Sequence, residues 1–349
     1  MTTESGILQR TIRLRDKYEL VELAGSGGMA EVFRSYTHGA SGFRRTVAIK
    51  RIVEDLSHNP EFVAMFVEEA RVVADLVHPN IVQVHDFDQD ERGRYYLVME
   101  WVEGLNLADW ARAYRNAERP TPWPLVAAIG IEVLKGLAAA HERHDHQGQH
   151  VPIFHRDVTP HNILLSTTGV VKLADFGLAR AMDRARITEP HILKGKLSYV
   201  APELVSGNDP TMQSDLFGVG IVLWEALVGE KLFQGEGPLE VLTKVREARV
   251  PPLAERRPDL PADLVRVVHG SLAKMAHDRP RNARAMARSL ANILRVTPAS
   301  TSPDVLGRSV AEARSVLEEQ KRQGRDSHAI DEGDYLSADD ARLSEVGRG

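Results

Sequence analysis

His155-Arg156-Asp157-Val158-Thr159-Pro160-His161-Asn162, followed thirteen residues later by Asp175-Phe176-Gly177, decides how the rest of this chain reads. Two side chains with hard oxygen donors, Asn162 and Asp175, and one isolated carboxylate base, Asp157, fall on two neighbouring loops. Between them a short hairpin is predicted, with Ile163-Leu164-Leu165 and Val170-Val171-Lys172-Leu173 turning at Thr168-Gly169. Upstream lie a glycine-rich turn, Gly25-Ser26-Gly27-Gly28-Met29-Ala30-Glu31-Val32, and a lysine at the end of an apolar run, Val47-Ala48-Ile49-Lys50. Downstream sits Ala201-Pro202-Glu203. Each piece alone is weak, but all of them in this order form a specific pattern.

Working outward, residues 18–52 read as three strands rich in β-branched and aromatic residues and separated by glycine signals. Phe62, Phe66, Val67, Ala70, Val73, Ala74 and Val77 then recur at helical spacing behind Pro60. Two more strands are predicted near 81–87 and 94–101. From about 105 the pattern turns helical, over 105–115, 123–144, 212–228, 238–247, 261–275 and 282–295. The fold class is therefore α+β, with a small β-rich lobe over 18–102 and a larger helical lobe over 105–296. The hinge is read at Glu103-Gly104, with Gly104 supplying flexibility. Residues 1–17 read as an N-terminal extension. Thr-Pro-Ala-Ser-Thr-Ser-Pro opens a linker and tail over 297–349, with a candidate amphipathic helix over 303–322.

Composition narrows the function classes. The chain has 349 residues, 43% apolar and 27% charged, which suits a globular protein. Its formal charge of −5 gives no bulk attraction to nucleic acid or to an anionic membrane, so neither is expected as a partner. Cysteine is absent from the sequence, which excludes disulfides, thiolate metal sites and cysteine nucleophiles. The N-terminus shows no secretory h-region. The apolar run Leu216–Val228 falls short of the ~20 residues that span a bilayer, so a cytoplasmic location is expected. His141, His144 and His146 admit a zinc reading, but Gly148 and Pro152 favour a solvated loop.

The ordered motifs resemble the eukaryotic-like (Hanks-type) Ser/Thr protein kinase family, bacterial branch, over residues 18–296. The resemblance implies a two-lobed kinase fold binding ATP and Mg²⁺ in the cleft. Under it, the flap from Ala24 through Gly25, Ser26, Gly27, Gly28, Met29, Ala30 and Glu31 to Val32 covers the nucleotide, with Ala30 where the family's third glycine stands. A plain hairpin turn remains the alternative reading of that loop alone. Lys50 holds phosphates and pairs with Glu69, with the adjacent Glu68 facing about 100° away. Val32, Ala48 and Leu164 sandwich the base, Met99 is the gatekeeper, and the Glu100 and Val102 backbones face adenine. Asp157 orients or deprotonates the acceptor hydroxyl, and Asn162 and Asp175 hold the metal. His155 and Phe176 stack with Val73 and Val84, Asp215 braces the catalytic loop, and Glu203 pairs with Arg279.

Two departures stand out against the family pattern. Thr159 occupies the position of a usual lysine, and Lys196 that of a usual threonine, a swap that implies mutual compensation at the γ-phosphate. The alternatives are drift of both positions, or a pseudokinase that binds nucleotide as a signalling scaffold. Thr188 is the only Ser or Thr of the 178–200 segment before Gly195, so it is the expected autophosphorylation site, reached through self-association. Arg156 and Arg180 are cations available to it. A protein is the expected substrate.

Overall fold

The computed structural model describes residues 12–176 and 197–339, with the side chains of Ile12, Glu69 and residues 323–339 outside that description. The first half folds back on itself as β1 (Ile12–Leu14), β2 (Tyr18–Ser26), β3 (Ala30–His38), β4 (Arg44–Ile52), β5 (Val84–Gln89) and β6 (Tyr95–Glu100). These form an antiparallel sheet in the order β1-β2-β3-β4-β6-β5. Helix α1 (Pro60–Ala74) packs on β5 and β6. It starts where the sequence places a proline after an asparagine: the Asn59 side chain accepts the Glu61 N–H at 3.0 Å, and Pro60 occupies the first turn.

Strand β1 lies inside the segment expected as an extension. Leu14 is buried with Tyr18, Leu20, Val47, Ile49, Tyr96 and Val98, so the sheet begins six residues earlier than residue 18. Three residues are too few for an alternating pattern to be read without the partner strand.

The second half holds a three-stranded antiparallel sheet of β7 (Gly104–Asn106), β8 (Ile163–Ser166) and β9 (Val171–Leu173). Around it lie α2 (Leu107–Asn116), α3 (Trp123–His141), α4 (Pro202–Val205), α5 (Met212–Val228), α6 (Pro238–Glu247), α7 (Leu253–Arg256), α8 (Ala262–Ser271), α9 (Ala283–Arg295) and α10 (Pro303–Asp339). Helix α5 begins with a reciprocal cap between Thr211 and Ser214 and ends at Gly229, whose φ of +82° closes the last turn. Helices α5 and α9 pack on α3 at the centre of the main core. The apolar run Leu216–Val228 lies in α5, yet among the described residues it is α3 that has the length and composition of a membrane span. Of its most apolar window 61% is buried inside the protein, as suits a core helix.

The lobes are tied by backbone contacts as well as by the hinge. Val82 N–H donates to the Leu173 carbonyl and Leu173 N–H to the Asn80 carbonyl, both at 2.9 Å. Gly104 does not act as a flexible joint. It sits in β7 opposite Ser166, where a Cβ would lie 1.9 Å from the Leu165 carbonyl oxygen, so the glycine is required by close approach to β8. The expected helix over 303–322 is present and continues to Asp339.

Candidate active site

After α3 the chain returns to the cleft through the 155–162 loop, and the first turn of α5 holds that loop in shape. Asp215 accepts the backbone N–H of His155 at Oδ2 and of Arg156 at Oδ1, both at 2.8 Å. His141, at the end of α3, contributes Nε2 at 2.8 Å from Oδ2. Burial pushes the Asp215 carboxyl up, but the hydrogen bonds from His141 and from the Arg156 backbone N–H win and hold it below the usual carboxylate range. The brace maintains an uncommon backbone: Arg156 has φ +66°, in the left-handed region that a long side chain rarely adopts.

His155 is fully buried, with its ring 4.4 Å from that of Phe176. Its Nδ1 accepts the Asp157 N–H at 3.2 Å, which leaves Nε2 to donate to the Ala174 carbonyl at 2.9 Å. Burial lowers its pKa, so the ring is neutral, as this bonding requires. Phe176 and Val73 belong to the main core and Val84 packs against that core.

Asp157 and Asn162 face one another across the same loop. Asn162 Nδ2 donates to the Asp157 carbonyl at 2.8 Å and to its Oδ2 at 3.2 Å. Ala174 N–H donates to the Asn162 carbonyl at 2.8 Å, which joins this loop to the one carrying Asp175. Asp175, at φ +60°, then meets Lys50 from the upper lobe, Nζ to Oδ1 at 2.8 Å. The Lys50 side chain is only 4% exposed, so its charge is kept in a buried position by pairing. Asp157, Asn162, Asp175 and Lys50 thus converge from two lobes.

An apolar cluster also draws residues from both lobes. Ala30, Ala48 and Met99 are buried in one group, against which Val32, Trp101, Val102, Leu164 and Ala174 pack. The group runs from β3 and β4 through the hinge to β8. The Val102 N–H has no hydrogen-bond acceptor among the described residues, whereas the Glu100 N–H donates to the Gln83 carbonyl at 2.9 Å. The Glu100 carboxylate is 2.6 Å from Lys172 Nζ.

The flap runs from Ala24, Gly25 and Ser26 on β2 through Gly27, Gly28 and Met29 to Ala30, Glu31 and Val32 on β3. Gly27 N–H closes the turn by donating to Ala30 at 3.0 Å, and the Glu31 side chain pairs with Arg51 at 3.3 Å. A Cβ on Gly25 would meet nothing within 4 Å, and one on Gly27 only the Ala30 carbonyl oxygen at 3.7 Å. Packing within the chain therefore does not require either glycine.

Glu203 and Arg279 form the expected pair, bonded twice at 2.8 and 2.7 Å, with the arginine side chain 0% exposed. Burial pushes the Glu203 carboxyl up, and Arg279 with Ser214 pulls it below its ordinary value. Thr159 is buried beside the 3-10 turn of Pro160–Asn162. Lys196, Thr188 and Arg180, and the Glu69 side chain, lie outside the described residues, although Glu69 itself belongs to α1.

Two relationships were not legible in the sequence. His141, read with the loop histidines, is buried on Asp215, and its position at the apolar end of α3 was the available signal. Tyr199 donates to Glu225 Oε2 at 2.6 Å, with Lys231 Nζ 3.2 Å from the same oxygen. No local spacing links those three. Among the described residues no group of three or more His, Asp or Glu is arranged to hold a metal.

The protein kinase domain model matches residues 18–290. The chain belongs to the protein kinase domain family. It is 38% identical over 292 residues to the tyrosine-protein kinase MasK of Myxococcus xanthus, covering 84% of this chain and 45% of MasK. It is 37% identical over 312 residues to the serine/threonine-protein kinase PknB of Mycobacterium tuberculosis, covering 87% and 46%. With the serine/threonine-protein kinase PrkC of Bacillus subtilis it shares 33% over 274 residues, covering 78% and 40%. The chain thus spans less than half the length of these relatives. The crystal structure of the PknI kinase domain of M. tuberculosis superimposes with a TM-score of 0.59 at 26% identity, covering 84% of this chain and 99% of that domain. The two-lobed α+β kinase fold is therefore the fold of this chain.

Proposed function

We propose that this chain transfers the γ-phosphoryl group of ATP to a serine or threonine hydroxyl of a protein, using Mg²⁺. The observation that carries the reading is the convergence of Lys50, Asp157, Asn162 and Asp175 near a glycine flap and an apolar cluster that spans both lobes. Glycines that the chain's own packing does not need leave bare backbone where phosphate oxygens can approach. The apolar cluster of Val32, Ala48, Met99, Val102 and Leu164 suits contact with a flat base, and the Val102 N–H, without an acceptor among the described residues, is a donor for its edge.

The donor set also suits the metal. Asn162 uses its amide nitrogen within the loop, and its Oδ1 has no donor among the described residues. Asn162 and Asp175 are then two hard oxygen ligands, the small number of protein contacts Mg²⁺ prefers beside phosphate and water. Held by Asn162 and Asp175, the ion would supply positive charge that neutralises the phosphates. Lys50 adds a fixed cation at the same place, and Asp157 orients the acceptor hydroxyl and takes its proton. Catalysis by such groups rests on positioning and electrostatics, without a covalent enzyme intermediate.

The intact polar set speaks against the scaffold reading. A protein substrate, a cytoplasmic location, and self-association that delivers Thr188 of one copy to the site of another belong to the same proposal. The test is incubation with γ-labelled ATP and Mg²⁺, followed by acid hydrolysis and separation of the labelled amino acids. Label on serine or threonine is expected. Label confined to tyrosine would replace the acceptor class and align the chain with the activity named for MasK.

A further inference from the structure

Helix α10 begins beyond residue 290, where the family match ends, yet it is part of the lower-lobe core. Leu306, Val310, Ala313 and Leu317 fall on one helical face and are all buried, against α2, β7 and β8. The contact is polar as well. The fully buried Trp110 donates its indole N–H to Ser309 Oγ at 2.9 Å, and the Tyr114 hydroxyl lies 2.8 Å from the same oxygen. Two glycines allow the approach: a Cβ on Gly307 would lie 2.4 Å from the Thr167 carbonyl oxygen, and one on Gly169 1.9 Å from that of Pro303.

This docking leads to the segment between the lobes. Arg314 Nη1 hydrogen-bonds Glu103 Oε1. Glu103 Oε2 accepts the Trp101 indole N–H at 2.8 Å, and the Glu103 carbonyl accepts the Thr167 N–H at 2.9 Å. Trp101 in turn lies under the guanidinium of Arg34 on β3, 5.8 Å from the ring centroid. A continuous series of contacts therefore joins α10 through Arg314, Glu103 and Trp101 to the upper sheet, and Val102 lies inside it.

We propose that α10 is an in-cis brace on the interlobe segment and that Arg314 is a positioning residue for nucleotide binding. Acting through Glu103, it holds Trp101-Val102-Glu103 in the conformation that turns the Val102 N–H to the cleft. The inference rests on the nucleotide site proposed above. Arg314 and Glu103 side chains are 40% and 47% exposed, so their pairing adds little to global stability. Loss of Arg314 therefore reports on the geometry of the segment rather than on folding.

The test uses the full chain as parent, Arg314→Ala, Arg314→Lys and Gly307→Val. For each, the Kd for ADP with Mg²⁺, the KM and kcat for ATP, and the melting temperature are measured. Arg314→Ala should raise Kd and KM about three- to tenfold, the range by which remote coupled positions act. Its kcat should stay within about twofold and its melting temperature near that of the parent, with Arg314→Lys recovering part of the affinity. Gly307→Val, which wedges the helix from Thr167, should weaken ADP binding at least as much. Parental affinity in both Arg314→Ala and Gly307→Val would overturn the brace. A parent that binds ADP but transfers no phosphate would count against the proposed activity alone, because the ADP affinities still decide the brace. A parent that binds no ADP would overturn both.

Discussion

Lys50 Nζ and Asp175 Oδ1 lie 2.8 Å apart although 125 residues separate them in the chain. One comes from the third long strand of the upper sheet and the other from a loop of the lower lobe. A buried ammonium needs a partner, and here that partner is a carboxylate on the opposite side of the cleft. The upper lobe thereby delivers a fixed positive charge to the Asp175 loop, which is hydrogen-bonded through Ala174 to the loop that carries Asp157 and Asn162.

Removal of that charge should abolish transfer while leaving the fold. Lys50→Met keeps length and apolar packing, and the rate of phosphate transfer should fall by at least ~100-fold, the worth of one electrostatic contact to transition-state charge. Melting temperature and phosphate incorporation, measured on the same preparation, check this. A variant with near-parental turnover would move the phosphate contact away from Lys50.

Breaking the Glu203–Arg279 pair should destabilise the lower lobe. Arg279 is bonded to the glutamate and to the carbonyls of Ala273, Lys274 and Gln213, so its loss leaves several buried acceptors without donors. Arg279→Ala should cost about 3–5 kcal/mol by urea unfolding, and Arg279→Lys much of that, because an ammonium cannot reproduce the two-pronged contact. A change under ~1 kcal/mol for Arg279→Ala would show the pair to be dispensable.

Acid should weaken the protein in two steps. His155 titrates below its ordinary 6.5 because burial opposes its charged form, so the stability it contributes is complete above 6.5. That stability is lost as pH falls from 6.5 through the folded-state value. Asp215, also depressed, contributes above the ordinary carboxylate value of 3.8 and loses its contribution only as pH falls below it. Melting temperature followed from pH 7.5 down should decline first near 6.5, and His155→Gln should flatten that first step. An unchanged slope in the variant would assign the step to other histidines that burial lowers, such as the half-buried His78 and His269.

The segment outside the described residues carries its own tests. Lys196→Ala should lower activity by the equivalent of about 2–3 kcal/mol in the barrier if it has taken over the γ-phosphate contact. The double change Thr159→Lys with Lys196→Thr should recover much of this, and additivity across the cycle would mean the two positions do not communicate. Phosphate on Thr188 after incubation with ATP, and reduced activity of Thr188→Ala, are expected by mass spectrometry and substrate labelling.

Most of the fold was legible because its signals are local. The Pro60 start of α1, the capping pair at Thr211 and Ser214 and the glycine stop at Gly229 all act within a few residues of the element they bound. The convergence of Lys50 with Asp175 and of Asp157 with Asn162 was legible because the kinase resemblance ties those side chains to fixed spacings, as in the 155–162 loop. What escaped depended on distant partners. Three residues of β1 become a strand only beside β2. His141 is a loop histidine until Asp215 arrives from 74 residues away. Gly104 reads as a flexible joint until β8 packs against it. Helix α10 looked like a tail because its apolar face is narrow, and only α2, β7 and β8 show what it covers.

The central claim is that Asp157 acts on the acceptor hydroxyl at the place where Lys50, Asn162 and Asp175 gather. The most direct measurement is the rate of label transfer from γ-labelled ATP with Mg²⁺ to the protein itself and to an added protein substrate, parent against Asp157→Asn. The substitution keeps the shape and an acceptor oxygen for Asn162 but deletes the charge. The account predicts clear transfer by the parent and a fall of about 10²–10⁴-fold in the variant, with nucleotide affinity retained. Equal rates in the two proteins, or no transfer by a parent that binds nucleotide, would contradict it.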